Sequence, residues 1–220
     1  MYYFTKQYME QTRRTILSCG KNIGGLTLYD IGIGRGRALQ MFKHLGIQNV
    51  IGFEISMEEV KFAENQAARL NMNLTVVADS ADNMELKKIA NDSCRLVTMM
   101  NVLFCVNDKV KSTMIGQAKR ILCAGGILIV LDMQRPSLLS FFSLLSGKPW
   151  RFFGEKEFLR LMEPLRPIAI AESNHFYFEN RTMTFINKFL RFNICYALDA
   201  IARFFKIPGA TKTFIFIKEN

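Results

Sequence analysis

The alternation of short apolar strands with helical stretches predicts an open, mostly parallel α/β sheet with helices on both faces. Two observations carry this expectation. Between residues 25 and 135 five apolar runs, LTLYDI, NVIGFE, LTVVAD, RLVTMMNVLF and GGILIVLD, are separated by segments with helical spacing, and each run is apolar enough to be covered on two sides. The length of 220 residues suits one sizeable core, so residues 1–220 read as a single domain.

Each element follows from local signals. Residues 5–20 read as an N-terminal helix, ended by the glycines between Gly20 and Gly25. Strand one ends near Asp30 or Ile31 and runs into glycines. A helix then places Ala38, Leu39, Phe42 and Leu45 on one face and stops at Gly46, with Lys43 and His44 in the last turn where the helix dipole favours positive charge. His44 is thus expected at the surface. Strand two is NVIGFE, after which Ser56 and Glu59 form a capping-box pattern opening a helix with Val60, Ala63, Ala67 and Leu70 inward. Strand three is LTVVAD, residues 82–90 read as a short helix, and strand four ends around Asn101. The helix 107–123 turns Val110, Met114, Ala118 and Ile121 inward and leads to strand five.

Composition excludes several classes. Half the residues are apolar and 22% are charged, which rules out a disordered chain. No apolar run approaches the roughly 18 to 20 residues of a membrane span, and the start MYYFTKQYMEQTRR lacks the order of a signal peptide, so the expected location is cytoplasmic. Cys19, Cys94, Cys105, Cys123 and Cys195 are scattered and only two histidines are present, so neither a disulfide framework nor a metal site is expected. The net charge of +10 divides equally between residues 1–135 and the shorter 136–220, while 14 of the 19 phenylalanines lie in the latter. The tail is therefore the more basic and the more aromatic part per residue.

In open parallel sheets ligands bind beyond the carboxyl ends of the strands, here occupied by Asp30, Glu54, Asp79, Asn101 and Asp132. Gly32, Gly34 and Gly36 follow strand one, but the third glycine of a dinucleotide fingerprint would stand where the chain has Arg37. Several carboxylates around the turn would repel a pyrophosphate. A cationic adenosine compound without phosphates suits them better.

The stretches LYDIGIGRGRAL, VIGFEIS, VVADSADN, RLVTMMNVLFCVND and AKRILCAGGILIVLD, in this order, resemble the class I S-adenosylmethionine-dependent methyltransferases over residues 25–135. The resemblance implies a seven-stranded sheet with strand seven antiparallel, inserted between strands five and six, and S-adenosylmethionine as cofactor with S-adenosylhomocysteine as product. It assigns Asp30 to the methionine amino group, Gly32, Gly34 and Gly36 to close backbone approach, and Glu54 to the ribose hydroxyls with Ile55 beside it. Asp79 would face the adenine amino group with Ser80 beside the ring, and Met100 and Asn101 would line cofactor and acceptor. Arg95 stands where the family often has an acid, at the strand end far from the site. No Asn-Pro-Pro-Tyr type motif follows strand four, which favours the small-molecule branch, similar to methyltransferase types 11 and 12, over DNA-adenine and protein-glutamine enzymes.

Methyl transfer from a sulfonium relies on positioning and makes a general base optional. Base candidates are Asp132, His175 and Tyr177, although His175 reads first as a structural histidine and Asp132 as a cap or surface carboxylate. Arg35 and Arg37 read as solvated, with an acidic partner open to Arg37 because it opposes the helix dipole.

In the tail, a helix near 155–163, PIAIAESNHFYFE and TKTFIFIK match the last helix and strands six and seven. Residues 136–154 and 179–211 are left as hydrophobic helical cap insertions on the active-site side, alongside an N-terminal helix in 1–24 and a cofactor-binding core in 25–135. As a helix, 181–207 would align Lys188, Arg191, Asp199, Arg203 and Lys206 on one stripe and be apolar elsewhere. Packing within the protein, a homodimer, or peripheral contact with an anionic membrane would each cover it. The expected acceptor is a small or amphiphilic molecule: a lipid, a quinone, a lipid-linked glycan or a hydrophobic metabolite. The alternatives are a non-catalytic S-adenosylmethionine-binding partner protein, an aminopropyl transferase or an RNA methyltransferase, the last disfavoured because basic residues are spread thinly and no RNA-binding module is appended.

Overall fold

The computed structural model describes residues 3–78, 89–135, 153–174 and 211–219. The expected helix at 82–90, most of the two cap insertions and the 181–207 stripe lie outside these residues.

The strands are β1 (Thr27–Ile31), β2 (Asn49–Phe53), β3 (Asn73–Val77), β4 (Cys94–Met100), β5 (Leu122–Arg135), β6 (Arg166–Asn174) and β7 (Thr211–Ile217). They form one sheet in the order β3-β2-β1-β4-β5-β7-β6, and a two-residue strand, Phe153–Gly154, pairs with the far end of β5. β1 to β5 run parallel, and β7 is antiparallel to both β5 and β6. This is the class I methyltransferase fold expected from the sequence. The reversal of strand order between β1 and β4 opens the crevice in which such sheets bind ligands.

Side chains alternate between two cores with the period of a strand. Leu28, Val50, Leu96, Ile129, Leu131 and Ile215 pack with α1 (Tyr3–Ser18), α2 (Leu39–His44) and α3 (Met57–Arg69). Val97, Met99, Leu128, Val130, Phe214 and Phe216 pack against α4 (Asp108–Ile121) and α5 (Glu155–Met162). Each helix follows its sequence logic. Asn107 caps α4 by accepting from the Val110 N–H, and the α5 residue Phe158 sits with its ring centroid 4.7 Å from that of Phe214. His44 is exposed at the end of α2, as its place in the last turn suggests.

α1 docks by Met9, Thr12 and Ile16, all on one helical face. The Thr12 and Thr213 hydroxyls share a buried hydrogen bond of 2.9 Å, fixing the helix against β7. α4 also buries one charged residue. Lys111 is buried beside Met114 and Ile115, its ammonium 3.5 Å from Asp108 and 4.9 Å from the centre of the Phe153 ring. Its long apolar stem lets a charged residue lie under the helix. Among the described residues no helix is long and apolar enough to cross a membrane.

Candidate functional site

The turn after β1 is made by backbone that only glycine adopts cheaply. Gly32 has φ +77°, and a β-carbon there would lie 2.5 Å from Cγ2 of Val102, so the turn and the loop after β4 approach as closely as a missing side chain allows. Gly36, at φ +69°, would place its β-carbon 3.1 Å from Cα of Ala63 and so sets the distance to α3. The turn is tied to β2 by the Gly32 and Ile33 N–H groups, both donating to the Phe53 carbonyl at 2.9 and 3.1 Å.

Glu54 stands just past β2. One carboxylate oxygen accepts from the Gly34 N–H at 2.9 Å, and the other from the Ser56 N–H at 2.9 Å. A carboxylate offers about four acceptor directions, so both oxygens keep capacity toward a further donor. This arrangement corrects the reading of α3. Ser56 caps the helix by accepting from the Glu59 N–H at 3.4 Å, but the return bond of a capping box is absent because Glu54 takes the Ser56 N–H. Glu59 turns instead to Arg35, whose Nε donates to its two oxygens at 2.9 and 3.1 Å. Arg35 also lies 4.5 Å over the Phe62 ring, so it is paired and stacked where the sequence suggested a solvated side chain.

Asp30, at the end of β1, is 1% exposed and accepts a 2.6 Å hydrogen bond from the Thr98 hydroxyl of β4. Burial pushes its carboxyl up to about 6; the Thr98 hydrogen bond pulls it down, and the nearby Glu54 charge pushes it up. An open cleft of about 230 Å³ brings together Asp30, Gly32, Gly34, Arg37, Met100 and Asn101, with Met9 of α1 and Phe104 as apolar walls. Asn101 holds a left-handed conformation, φ +57°, and its buried Oδ1 has no hydrogen-bond partner among the described residues. A buried acceptor left open in a cleft wall is a place for a ligand's donor.

The sequence-predicted residues divide accordingly. Asp30, Gly32, Gly34, Met100 and Asn101 line one cleft. Glu54 and Gly36 support its floor, and Ile55, 74% exposed, follows Glu54 at its margin. Asp132 is corrected: it is buried, not a surface carboxylate, because β5 continues past it and its side chain falls in phase with Val130 and Leu128, toward α4 and α5. It is not among the residues lining the cleft. Asp79, Ser80, His175 and Tyr177 lie outside the described residues. Sequence reasoning missed Thr98, which sits inside the apolar run RLVTMM, and Met9; the only signal for Thr98 was a hydroxyl interrupting that run.

The family model described as a methyltransferase domain matches residues 28–126. No curated protein sequence matches the chain significantly. Among solved structures, the chain is similar to a SAM-dependent methyltransferase from Thermotoga maritima, with 17% identity, TM-score 0.64, and 98% of this chain and 91% of that one covered. A SAM-dependent methyltransferase from Archaeoglobus fulgidus gives 17% identity and TM-score 0.63 over 99% and 100% of the two chains. Geranyl diphosphate C-methyltransferase from Streptomyces coelicolor A3(2), solved with Mg2+, geranyl diphosphate and S-adenosyl-L-homocysteine, gives 14% identity and TM-score 0.66 over 95% and 78%. At these identities the likenesses speak for the fold. Residues 28–126 thus match a methyltransferase domain, and the chain has the class I methyltransferase fold.

Proposed function

We propose that this chain transfers the methyl group of S-adenosylmethionine to a small or amphiphilic acceptor. The observation that carries the reading is the placement of two carboxylates, Asp30 and Glu54, on either side of one glycine turn at the strand ends. The residues present fit the cofactor. Asp30 offers a buried carboxylate to an ammonium, Glu54 keeps acceptor capacity for a pair of hydroxyls, the glycine turn admits close approach, and Asn101 Oδ1 awaits a donor. When bound, the cofactor supplies an already activated methyl group on a sulfonium. The chain's own part would be to hold and orient it, with Asp30 and Glu54 placed to meet its two ends and Met9 and Phe104 as apolar walls of the cleft. The carboxylates that line the cleft, Asp30 and Glu59, are engaged by the Thr98 hydroxyl and the Arg35 guanidinium, which suits a displacement that depends on positioning.

The acceptor class is supported by the phenylalanine-rich tail and by the geranyl diphosphate named for the Streptomyces enzyme of similar fold. Calorimetric titration with S-adenosylhomocysteine, on wild-type, Asp30→Ala and Glu54→Ala proteins shown to be folded by circular dichroism, tests the cofactor site. Micromolar binding weakened about tenfold or more by each substitution is expected. Absence of binding by folded wild-type protein overturns the reading. Transfer of a labelled methyl group into a cell extract separated into lipid, metabolite and RNA fractions tests the acceptor, and label found only in RNA would replace the small-molecule assignment.

A further inference from the structure

We propose that Thr98 is a positioning residue for cofactor recognition: its hydroxyl holds one oxygen of the Asp30 carboxylate, so that the other oxygen is presented to the cofactor's ammonium. The inference rests on the reading of the cleft given above and adds to it a residue that does not line the cleft.

Asp30 and Thr98 are register partners on the adjacent parallel strands β1 and β4. Their side chains fall on the sheet face that packs against α1, α2 and α3, where the neighbouring positions are Leu28, Leu96 and Met100. Thr98 is fully buried, so its hydroxyl cannot turn to solvent, and it donates to Asp30 Oδ1 at 2.6 Å. Valine would fill the same volume with equal preference for a strand and without a polar atom to satisfy. The hydroxyl therefore has one evident use, the hydrogen bond to Asp30. A donor on one carboxylate oxygen restricts rotation of the group and favours its ionised form, opposing the burial that raises its proton affinity. Without it, more of Asp30 is protonated near neutrality, and a neutral carboxyl attracts an ammonium weakly.

The charged groups that share the environment are Glu54 past β2, Arg35 and Arg37 on the glycine turn and Glu59 from α3; α1 contributes the apolar Met9. None of these is altered by a change at position 98. Calorimetric titration with S-adenosylhomocysteine between pH 5 and 8, on wild-type, Thr98→Val, Thr98→Ser and Asp30→Asn proteins, reads the effect. Wild-type affinity is expected to fall as pH drops through the Asp30 transition, which Asp30→Asn abolishes. Thr98→Val should move the midpoint upward by about one pH unit and weaken binding several-fold at pH 7, while Thr98→Ser restores the wild-type profile. Circular dichroism checks folding, and Thr98→Ala carries the same measurement if the valine protein does not fold. A folded Thr98→Val protein with the wild-type midpoint overturns the inference, as does a Thr98→Ser protein that behaves like the valine variant. Failure of folded wild-type protein to bind overturns the cofactor reading as well, which distinguishes the two failures.

Discussion

Glu54 receives the Gly34 N–H on one carboxylate oxygen and the Ser56 N–H on the other, each at 2.9 Å. A single side chain thereby joins the turn after β1 to the N-terminus of α3, so the groups that would meet a bound cofactor move as one piece. Glu54→Gln replaces one acceptor oxygen by an amide nitrogen that cannot accept, and one backbone N–H loses its partner. The expected loss is roughly 1 to 2 kcal/mol of stability, read by urea unfolding, with about a tenfold loss of S-adenosylhomocysteine affinity. Unchanged values in both measurements would remove the bridging role.

Asp30 makes stability depend on pH in a stated direction. Its folded value, about 6, lies above the ordinary carboxyl value of 3.8, so the folded chain binds this proton more tightly than the unfolded chain. Its contribution is fully present below about pH 4 and is lost as pH rises through about 6, amounting to roughly 2 to 3 kcal/mol at neutrality. Asp30→Asn removes this loss. Relative to wild type, the ligand-free asparagine protein should therefore gain stability between pH 4 and 7, and a difference that stays flat across that range would show that Asp30 titrates normally.

Gly32→Ala tests the close approach of two loops. The added β-carbon meets Val102 Cγ2 at 2.5 Å while the backbone is held at φ +77°. A destabilisation of about 1 to 3 kcal/mol is expected. Combining it with Val102→Ala removes the Cγ2 contact but leaves the Val102 β-carbon at 2.9 Å and the backbone strain, so the double variant should recover only part of the loss. Full recovery, or none, would contradict this division.

The Arg35–Glu59 pair should contribute little to stability despite its good geometry. Its side chains are 43% and 29% exposed, and water screens such a pair. A double-mutant cycle with Arg35→Ala and Glu59→Ala should give a coupling below about 1 kcal/mol that shrinks in high salt. A larger, salt-insensitive coupling would show that the pair is effectively buried.

Much of the cleft lining is legible in the sequence. Asp30, Gly32, Gly34 and Gly36 fall within seven residues, so their spacing alone places them in one turn after a strand, and Asn101 follows a strand formed by an apolar run. The capping pattern at Ser56 was legible only in part. Glu59 could pair with the Ser56 N–H or with Arg35, and the choice turned on Glu54, a neighbour the local pattern does not weigh. Asp132 was misread for a similar reason, since β5 extends past the last residue of its apolar run and keeps the carboxylate inside.

The order of strands and helices, the two alternating faces of each strand and the glycine turn can be read from the sequence, because these depend on periodicity and on conformations that single residues favour. The family resemblance implied the place of the antiparallel strand, but the register between strands came only from the fold. That register places Thr98 opposite Asp30, 68 positions away in the chain, and brings Met9 of the first helix to the cleft wall. Contacts between distant segments depend on packing over the whole sheet, and no local pattern encodes them.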